Sequence, residues 1–338
     1  MQTGPDVSAA EPSQPQPRRP RLSVVVPCYN EEQVLPELKR RLVAACRGQV
    51  GDDFEMILVN DGSRDGTWAM IAAMVEEIPN VVGVNLSRNV GHQLALTAGL
   101  SVCRGQRVLI IDADLQDPPE LLPEMMTTMD GGADVVYGQR SRREGEGVFK
   151  RGTAYLFYRL LSMLSDVKIP MDTGDFRLIN RKVLNVLNSM PEQFRFIRGM
   201  VAWLGFKQVA LSYSRDRRFA GTTKYPFWKM MRFATDAITG FSISPLRISL
   251  FLALFCFLLT GVFGAYVLYA WIALSVVRGW TSLVLVFLMF SGVQLLVLGL
   301  IGEYVGRTYV ESKRRPLYIL SEILSHTREA GNQDERGV

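Results

Sequence analysis

The stretch LIIDADLQDPPE, Leu109 to Glu120, sets an apolar run directly before three aspartates, Asp112, Asp114 and Asp117, and then two prolines. The run reads as a buried strand, and the prolines close it. Carboxylates this close repel one another unless a cation sits between them. In extended chain, residues two apart share a side, so Asp112 and Asp114 face together, joined by Gln116 if the extension persists. Two carboxylates and an amide oxygen form a hard-oxygen set. It suits Mg2+ or Mn2+ rather than zinc, and it leaves positions for water and phosphate oxygens.

The segments around this one extend the pattern. Leu22–Val26 reads as a strand closed by Pro27, and Val34, Leu35, Leu38, Leu42 and Ala45 then repeat with helical spacing. Phe54–Asn60 is a second strand, ending at the turn pair Asp61-Gly62, with a helix from about Gly66 to Glu77. Val81–Ser87, Arg107–Asp112 and Ala133–Arg140 are further strands, and His92–Cys103 is a helix. Such alternation predicts an α/β fold with a mostly parallel sheet and helices on its faces. Ligands of such sheets bind beyond the carboxyl ends of the strands. Asn30–Glu31, Asp61, Arg88–Asn89, Asp112–Asp114 and Arg140 all fall there. His92, in RNVGHQLA, is the histidine nearest this site, as a ligand contact or a helix-start residue.

The chain has 338 residues and a net charge of +5, a mildly basic balance that fits anionic partners such as lipid headgroups or phosphorylated substrates. Nothing in it points to nucleic acid. The four cysteines form no CxxC pair, which argues against zinc or a disulfide framework. No P-loop, GxGxxG, GxSxG or HExxH is present, which disfavours kinase, dinucleotide, serine-hydrolase and zinc-protease chemistry. Residues 1–20 read as a disordered leader rich in Pro, Gln and Ser.

From Ile248 to Val277 there are 30 residues without a charge, and from Trp280 to Gly302 another 23. A bilayer core needs about 20 helical residues, so each run is long enough to span. The short link between them predicts a two-helix hairpin over 247–302. Lys229, Arg232 and Arg247 precede it, and Arg307, Lys313, Arg314 and Arg315 follow. Basic flanks place both ends, and the domain over 21–225, on the cytoplasmic side of the inner membrane. Residues 226–246 read as an amphipathic helix in the interface, and 303–338 as a cytoplasmic tail whose last residues fray.

VVVPCYNEE, VNDGSRDGT, LSRNVGHQLALTAGL, DADLQDPPE, YGQR, DTGDFRLINR, FIRGMVAWLGF and RFAGTTKY follow one another in this order. The set resembles the polyprenyl-phosphate glycosyltransferases of family 2, such as dolichol-phosphate mannose synthase and the bactoprenol glucosyltransferases. The likeness runs over about residues 21–315. It implies a GT-A, Rossmann-like catalytic domain and an inverting, metal-dependent transfer of sugar from a nucleotide sugar to a polyprenyl phosphate in the bilayer. UDP-glucose and undecaprenyl phosphate are the first choice, with an aminoarabinose donor or GDP-mannose open. The resemblance also implies roles for residues. Pro27, Tyr29, Glu31 and Asp61 would line the nucleotide pocket, with Ala113 beside it. Asp112, Asp114 and Gln116 would hold Mg2+ or Mn2+. Arg140 and Arg151 would border a mobile loop, SRREGEGVFKR. Arg198, Arg218 and Lys224 would receive the acceptor phosphate. Asp175, in DTGDFR, would orient the acceptor, take a proton or serve only a turn. Related enzymes suggest a homotetramer. A processive polysaccharide synthase lacks support, since no QxxRW occurs and two spans are few for a pore. A transporter is disfavoured by spans without charge. A non-catalytic nucleotide- or lipid-binding scaffold is the rival of another class.

Overall fold

The computed structural model describes residues 19–140, 173–213, 251, 254–259, 261–262, 264–266, 269 and 279–326. The loop after Arg140, Arg151, Arg218, Lys224, the interfacial helix over 226–246 and much of the first apolar run lie outside the described residues.

The chain runs β1 (Leu22–Cys28), α1 (Leu35–Val50), β2 (Phe54–Asn60), α2 (Thr67–Glu77), β3 (Val81–Leu86), α3 (His92–Val102), β4 (Arg107–Ile110), α4 (Leu122–Asp130) and β5 (Val135–Arg140). It continues with β6 (Thr173–Asn180), α5 (Arg181–Ser189), α6 (Ile197–Trp203), β7 (Gln208–Tyr213), α7 (Trp280–Ser312) and β8 (Leu320–Ser325). One sheet holds all eight strands in the order β7-β5-β6-β4-β1-β2-β3-β8. The centre, β4-β1-β2-β3, is parallel, as expected. β6 enters antiparallel to both β4 and β5, and β8 lies antiparallel to β3. The result is a mixed α/β, GT-A-like Rossmann fold.

Strands buried on both faces must be apolar nearly throughout, and β1 and β2 are buried at every position. On one face α1, α2 and α4 pack through Leu38, Ile71 and Met125. On the other, α3, α5 and α6 pack through Leu96, Leu184 and Met200. Gly99 lets α3 approach closely, since a Cβ there would lie 2.4 Å from Val25 Cγ1 and 2.9 Å from Val59 Cγ2.

Pro27 was expected to close β1 but lies within it, paired with Val59 of β2. It is tolerated because the ladder to β4 stops at Val25–Ile110, so no partner asks for the missing N–H. β4 ends at Ile110, two residues early, because the chain turns at Ala113–Asp114 and Leu115 takes the left-handed φ of 57°. Extension therefore does not set the side on which the acids lie. Burial still alternates: Ile111, Ala113, Leu115 and Asp117 are buried, whereas Asp112, Asp114 and Gln116 are half-buried.

Among the described residues one helix is long and apolar enough to cross a membrane: the stretch Met289–Ser312 of α7, whose apolar part is not buried. Leu295 and Leu296 are 69% and 64% exposed, unlike any core helix of a water-soluble domain. α7 does not stop with the apolar run at Gly302 but continues through Glu303, Arg307 and Glu311. The described residues between 254 and 266 are helical as well, in a shorter apolar segment.

The C-terminal segment was expected to be a plain tail. Instead α7 docks on the domain: the Gln193 amide donates to Glu311 Oε1 at 2.8 Å, Gln193 Nε2 donates to the Arg315 carbonyl, and Arg307 sits 4.7 Å over the Phe194 ring. β8 then covers the β3 edge, with Ile323 and Leu324 packed against the two cores. Ile323→Asp should lower stability by about 2 kcal/mol, the burial of most of an aliphatic side chain. Thermal unfolding of the full chain in detergent checks this; an unchanged midpoint would show that β8 is not part of the folded domain.

Candidate active site

The loops leaving β1 and β2 are tied to each other first. Asn30, in the left-handed region at φ 55°, donates its amide to Ser63 Oγ and accepts at Oδ1 from the Arg64 amide. The Glu31 amide donates to Thr67 Oγ1, and Glu32 accepts from the Gly66 amide. The rim expected to hold nucleotide, Pro27, Tyr29 and Glu31, is thus braced by VNDGSRDGT. Pro27 is buried, Glu31 half-buried and Tyr29 exposed.

Asp61 joins this pair of loops to the one after β3. It is 3% exposed. Its Oδ1 accepts from the Val90 amide at 2.7 Å, and its Oδ2 from the Gly91 amide and Asn89 Nδ2, both at 3.0 Å. Desolvation raises its pKa above the usual carboxylate range, and the amides of Val90 and Gly91 act against that. Both oxygens are committed to the loop Arg88–Gly91. Gly62 makes the approach possible, because at φ 62° a Cβ would lie 2.4 Å from the Asn89 amide nitrogen.

That loop delivers α3, whose first two side chains enter the site. His92 Nε2 lies 2.8 Å from Asp112 Oδ1, and His92 Nδ1 lies 3.7 Å from Asp175 Oδ2. Desolvation works against the charged imidazole, but the hydrogen bond to Asp112 and the charges of Asp112 and Asp175 push it up to about 9. Gln93 Nε2 donates to Asp175 Oδ2 at 2.8 Å and lies 3.2 Å from His92 Nδ1.

Asp175 stands on β6 with 6% exposure. Its Oδ1 lies 3.5 Å from Arg198 Nη2 and 3.8 Å from Arg177 Nη2. Burial favours the neutral acid, yet Arg198, Arg177 and His92 together hold the carboxyl below its usual range. Arg177 is itself buried, which draws it down to about 10 against the pull of Asp175. It also donates to the carbonyls of Gly174 and Asp175. Tyr213 at the end of β7 donates to Asp117, fixing the far side of the acid-rich turn.

Contacts through His92 and Gln93 link Asp112, Asp175 and Arg198. Pro27, Tyr29, Glu31 and Asp61 stand at the carboxyl ends of β1 and β2, Ala113, Asp114 and Gln116 in the turn after β4, and the backbone of Arg140 at the end of β5. Arg151, Arg218 and Lys224 lie outside the described residues. Among the described residues no three His, Cys, Asp or Glu side chains gather as a metal site. The donor set Asp112, Asp114 and Gln116 still fits a hard divalent cation: three oxygen-bearing side chains, all half-buried, at one turn. Gln93 and Arg177 went unremarked in the sequence, whereas Asn89 was placed among the polar groups at strand ends. Gln93 sits inside LSRNVGHQLALTAGL, but only its contacts across the sheet single it out.

Asp61→Asn should cost about 2 kcal/mol, because one of its oxygens would become an N–H donor facing amide donors. Thermal unfolding checks this.

Comparison with known proteins sets these residues beside relatives. The profile described as Glycosyl transferase family 2 matches residues 23–187. "Uncharacterized glycosyltransferase YkcC" of Bacillus subtilis is 45% identical over 312 residues, 90% of this chain and 94% of that protein. "Prophage bactoprenol glucosyl transferase homolog" of Escherichia coli is 38% identical over 304 residues, 90% of this chain and 99% of that one. Solved structures overlap more loosely. Glucosyl-3-phosphoglycerate synthase of Mycobacterium tuberculosis is 22% identical, with a TM-score of 0.42 over 65% of this chain and 78% of that one.

Proposed function

The chain belongs to glycosyl transferase family 2, and from that premise we propose that it moves glucose from UDP-glucose to undecaprenyl phosphate at the membrane surface. The observation that carries the reading is the hydrogen-bonded line from the acid turn at Asp112, through His92 and Gln93, to Asp175, which pairs by charge with Arg198. One end suits a metal-bound diphosphate and the other an acceptor phosphate. Relatives that bear the name bactoprenol glucosyl transferase, such as that of Shigella phage SfV, 38% identical over 301 residues, support the choice of sugar and lipid.

The acceptor phosphate oxygen attacks the anomeric carbon, the bond to the nucleoside diphosphate breaks, and in-line attack inverts the centre. The acceptor needs no strong base, since phosphate monoesters lose their second proton near pH 6. Arg198, with Arg218 and Lys224, would hold that phosphate by charge-assisted hydrogen bonds. Asp175 keeps Arg198 in place and separates it from Arg177. Glu31, Tyr29 and Pro27 would bound the nucleotide, and Arg140 and Arg151 the loop closing over it. Mg2+ or Mn2+ bound by Asp112, Asp114 and Gln116 would offset charge on the departing diphosphate. A homotetramer is the assembly the resemblance suggests.

The path of the chain supports a two-span anchor. α7 has 33 residues, so its start lies about 50 Å from the end docked on the catalytic domain. β8 lies in the same sheet as β1–β3. If α7 crosses the bilayer, the chain between 214 and 278 must cross too, and the catalytic domain and C-terminus share the cytoplasmic side. A cysteine at Gly279 should react with a membrane-impermeant maleimide in whole cells, and one at Ser325 should not. Reaction of both or neither would refute the hairpin.

The transfer itself is tested with purified protein, undecaprenyl phosphate and a panel of labelled nucleotide sugars, with and without Mg2+ or Mn2+. Label should enter the organic phase from UDP-glucose alone, and only with metal. Label from GDP-mannose or an aminoarabinose donor would reassign the sugar; none from any donor would favour a scaffold. Asp114→Asn should lose about 100-fold or more in turnover with its thermal midpoint kept.

A further inference from the structure

The reading above assigns roles to the donor and acceptor ends but leaves open what keeps them in register. They stand on separate elements: Asp112 follows β4, Asp175 lies on β6, and Arg198 is in the first turn of α6. α6 has seven residues, too short to hold its own place. One side chain from α3 touches two of these elements, β6 and α6. Gln93 Nε2 donates to Asp175 Oδ2 at 2.8 Å, and Gln93 Oε1 accepts from the Ile197 amide at 2.9 Å. The amide group is used at both ends, so only one of its two orientations satisfies both partners. Its neighbour in sequence, His92, contacts Asp112. With Oδ2 so held, Oδ1 is left without a hydrogen bond among the described residues and faces the guanidinium groups of Arg177 and Arg198.

We propose that Gln93 is the positioning residue that holds the acceptor-binding arm, α6 with Arg198, in register with Asp175 and the acid turn. It does so by splitting its amide between the Asp175 carboxylate and the Ile197 backbone. This rests on the glycosyltransferase reading and adds to it a residue that touches neither substrate. A glutamate here would accept from Ile197 but repel Asp175. A methionine would fill the space and serve neither partner. The two contacts can therefore be separated.

The experiment uses the full chain in detergent, with Gln93→Met, Gln93→Glu, Asp175→Asn and the double variant Gln93→Met/Asp175→Asn. Two readouts are followed, steady-state transfer and amide exchange at Ile197. Gln93→Met should lower kcat about 10- to 100-fold and speed Ile197 exchange about tenfold or more, with the thermal midpoint close to the parent's. Gln93→Glu should lower kcat while exchange at Ile197 stays near the parent rate. Added to Asp175→Asn, Gln93→Met should cost less than about threefold more, because its target is already altered. Fully multiplicative losses in the double variant, or parental exchange in Gln93→Met, would overturn the proposal. If the parent transfers no sugar from any donor, the glycosyltransferase reading falls, and the exchange rates alone still decide whether Gln93 holds α6.

Discussion

A carboxylate removed from water must be matched by charge and hydrogen bonds, or it does not stay ionised. Asp175 imposes that condition on everything around it. It meets Arg177 and Arg198 at one oxygen and Gln93 at the other, with His92 close by. These partners come from β6 itself (Arg177), from α3 (His92 and Gln93) and from α6 (Arg198). Compensating one buried charge therefore forces β6, α3 and α6 together, and α3 brings the acid turn with it through His92. Desolvation of Asp175 and the pull of two guanidinium groups oppose each other, and the folded site is the arrangement in which the charges win.

The same logic operates at smaller scale at Asp61. A buried carboxylate between two loops draws in two backbone amides and one side-chain amide. That ties the loop after β2 to the loop that launches α3. The Asp61 brace thus holds the residues just before α3, and the Asp175 cluster engages its first two side chains. The direction in which His92 and Gln93 enter the site is set by both. Across the molecule, α7 meets the segment just before α6 through Gln193 and Phe194. The helix long and apolar enough to cross a membrane is therefore joined to the segment that leads into the arm carrying Arg198.

Much of this was legible before any coordinates. The parallel centre β4-β1-β2-β3 follows from apolar runs alternating with helical spacing, and the candidate site residues were chosen as polar groups at the ends of those runs. DADLQD was read as extended chain with Asp112, Asp114 and Gln116 on one side. The strand stops at Ile110, and the shared exposure of Asp112, Asp114 and Gln116 comes from a turn at Leu115. β6, β7 and β8 were not read as strands. DTGDFRLIN carries polar residues at positions that the fold buries, so its pattern does not alternate. LSEILS is short and largely exposed on an edge, and nothing local distinguishes it from a tail.

The sequence by itself determined the class of sheet, the acid-rich turn, the apolar segment of α7 and the likeness to family 2. Those depend on local periodicity and on residues close together in the chain. Only the tertiary structure decided that β6 runs antiparallel into the sheet, that the C-terminus returns to cover β3, and that Gln93 bridges Asp175 and Ile197. Their energies come from pairs more than eighty residues apart, such as Gln93 with Asp175 and Gln193 with Glu311. No local pattern records such pairs, because each partner is ordinary until the fold removes water from between them.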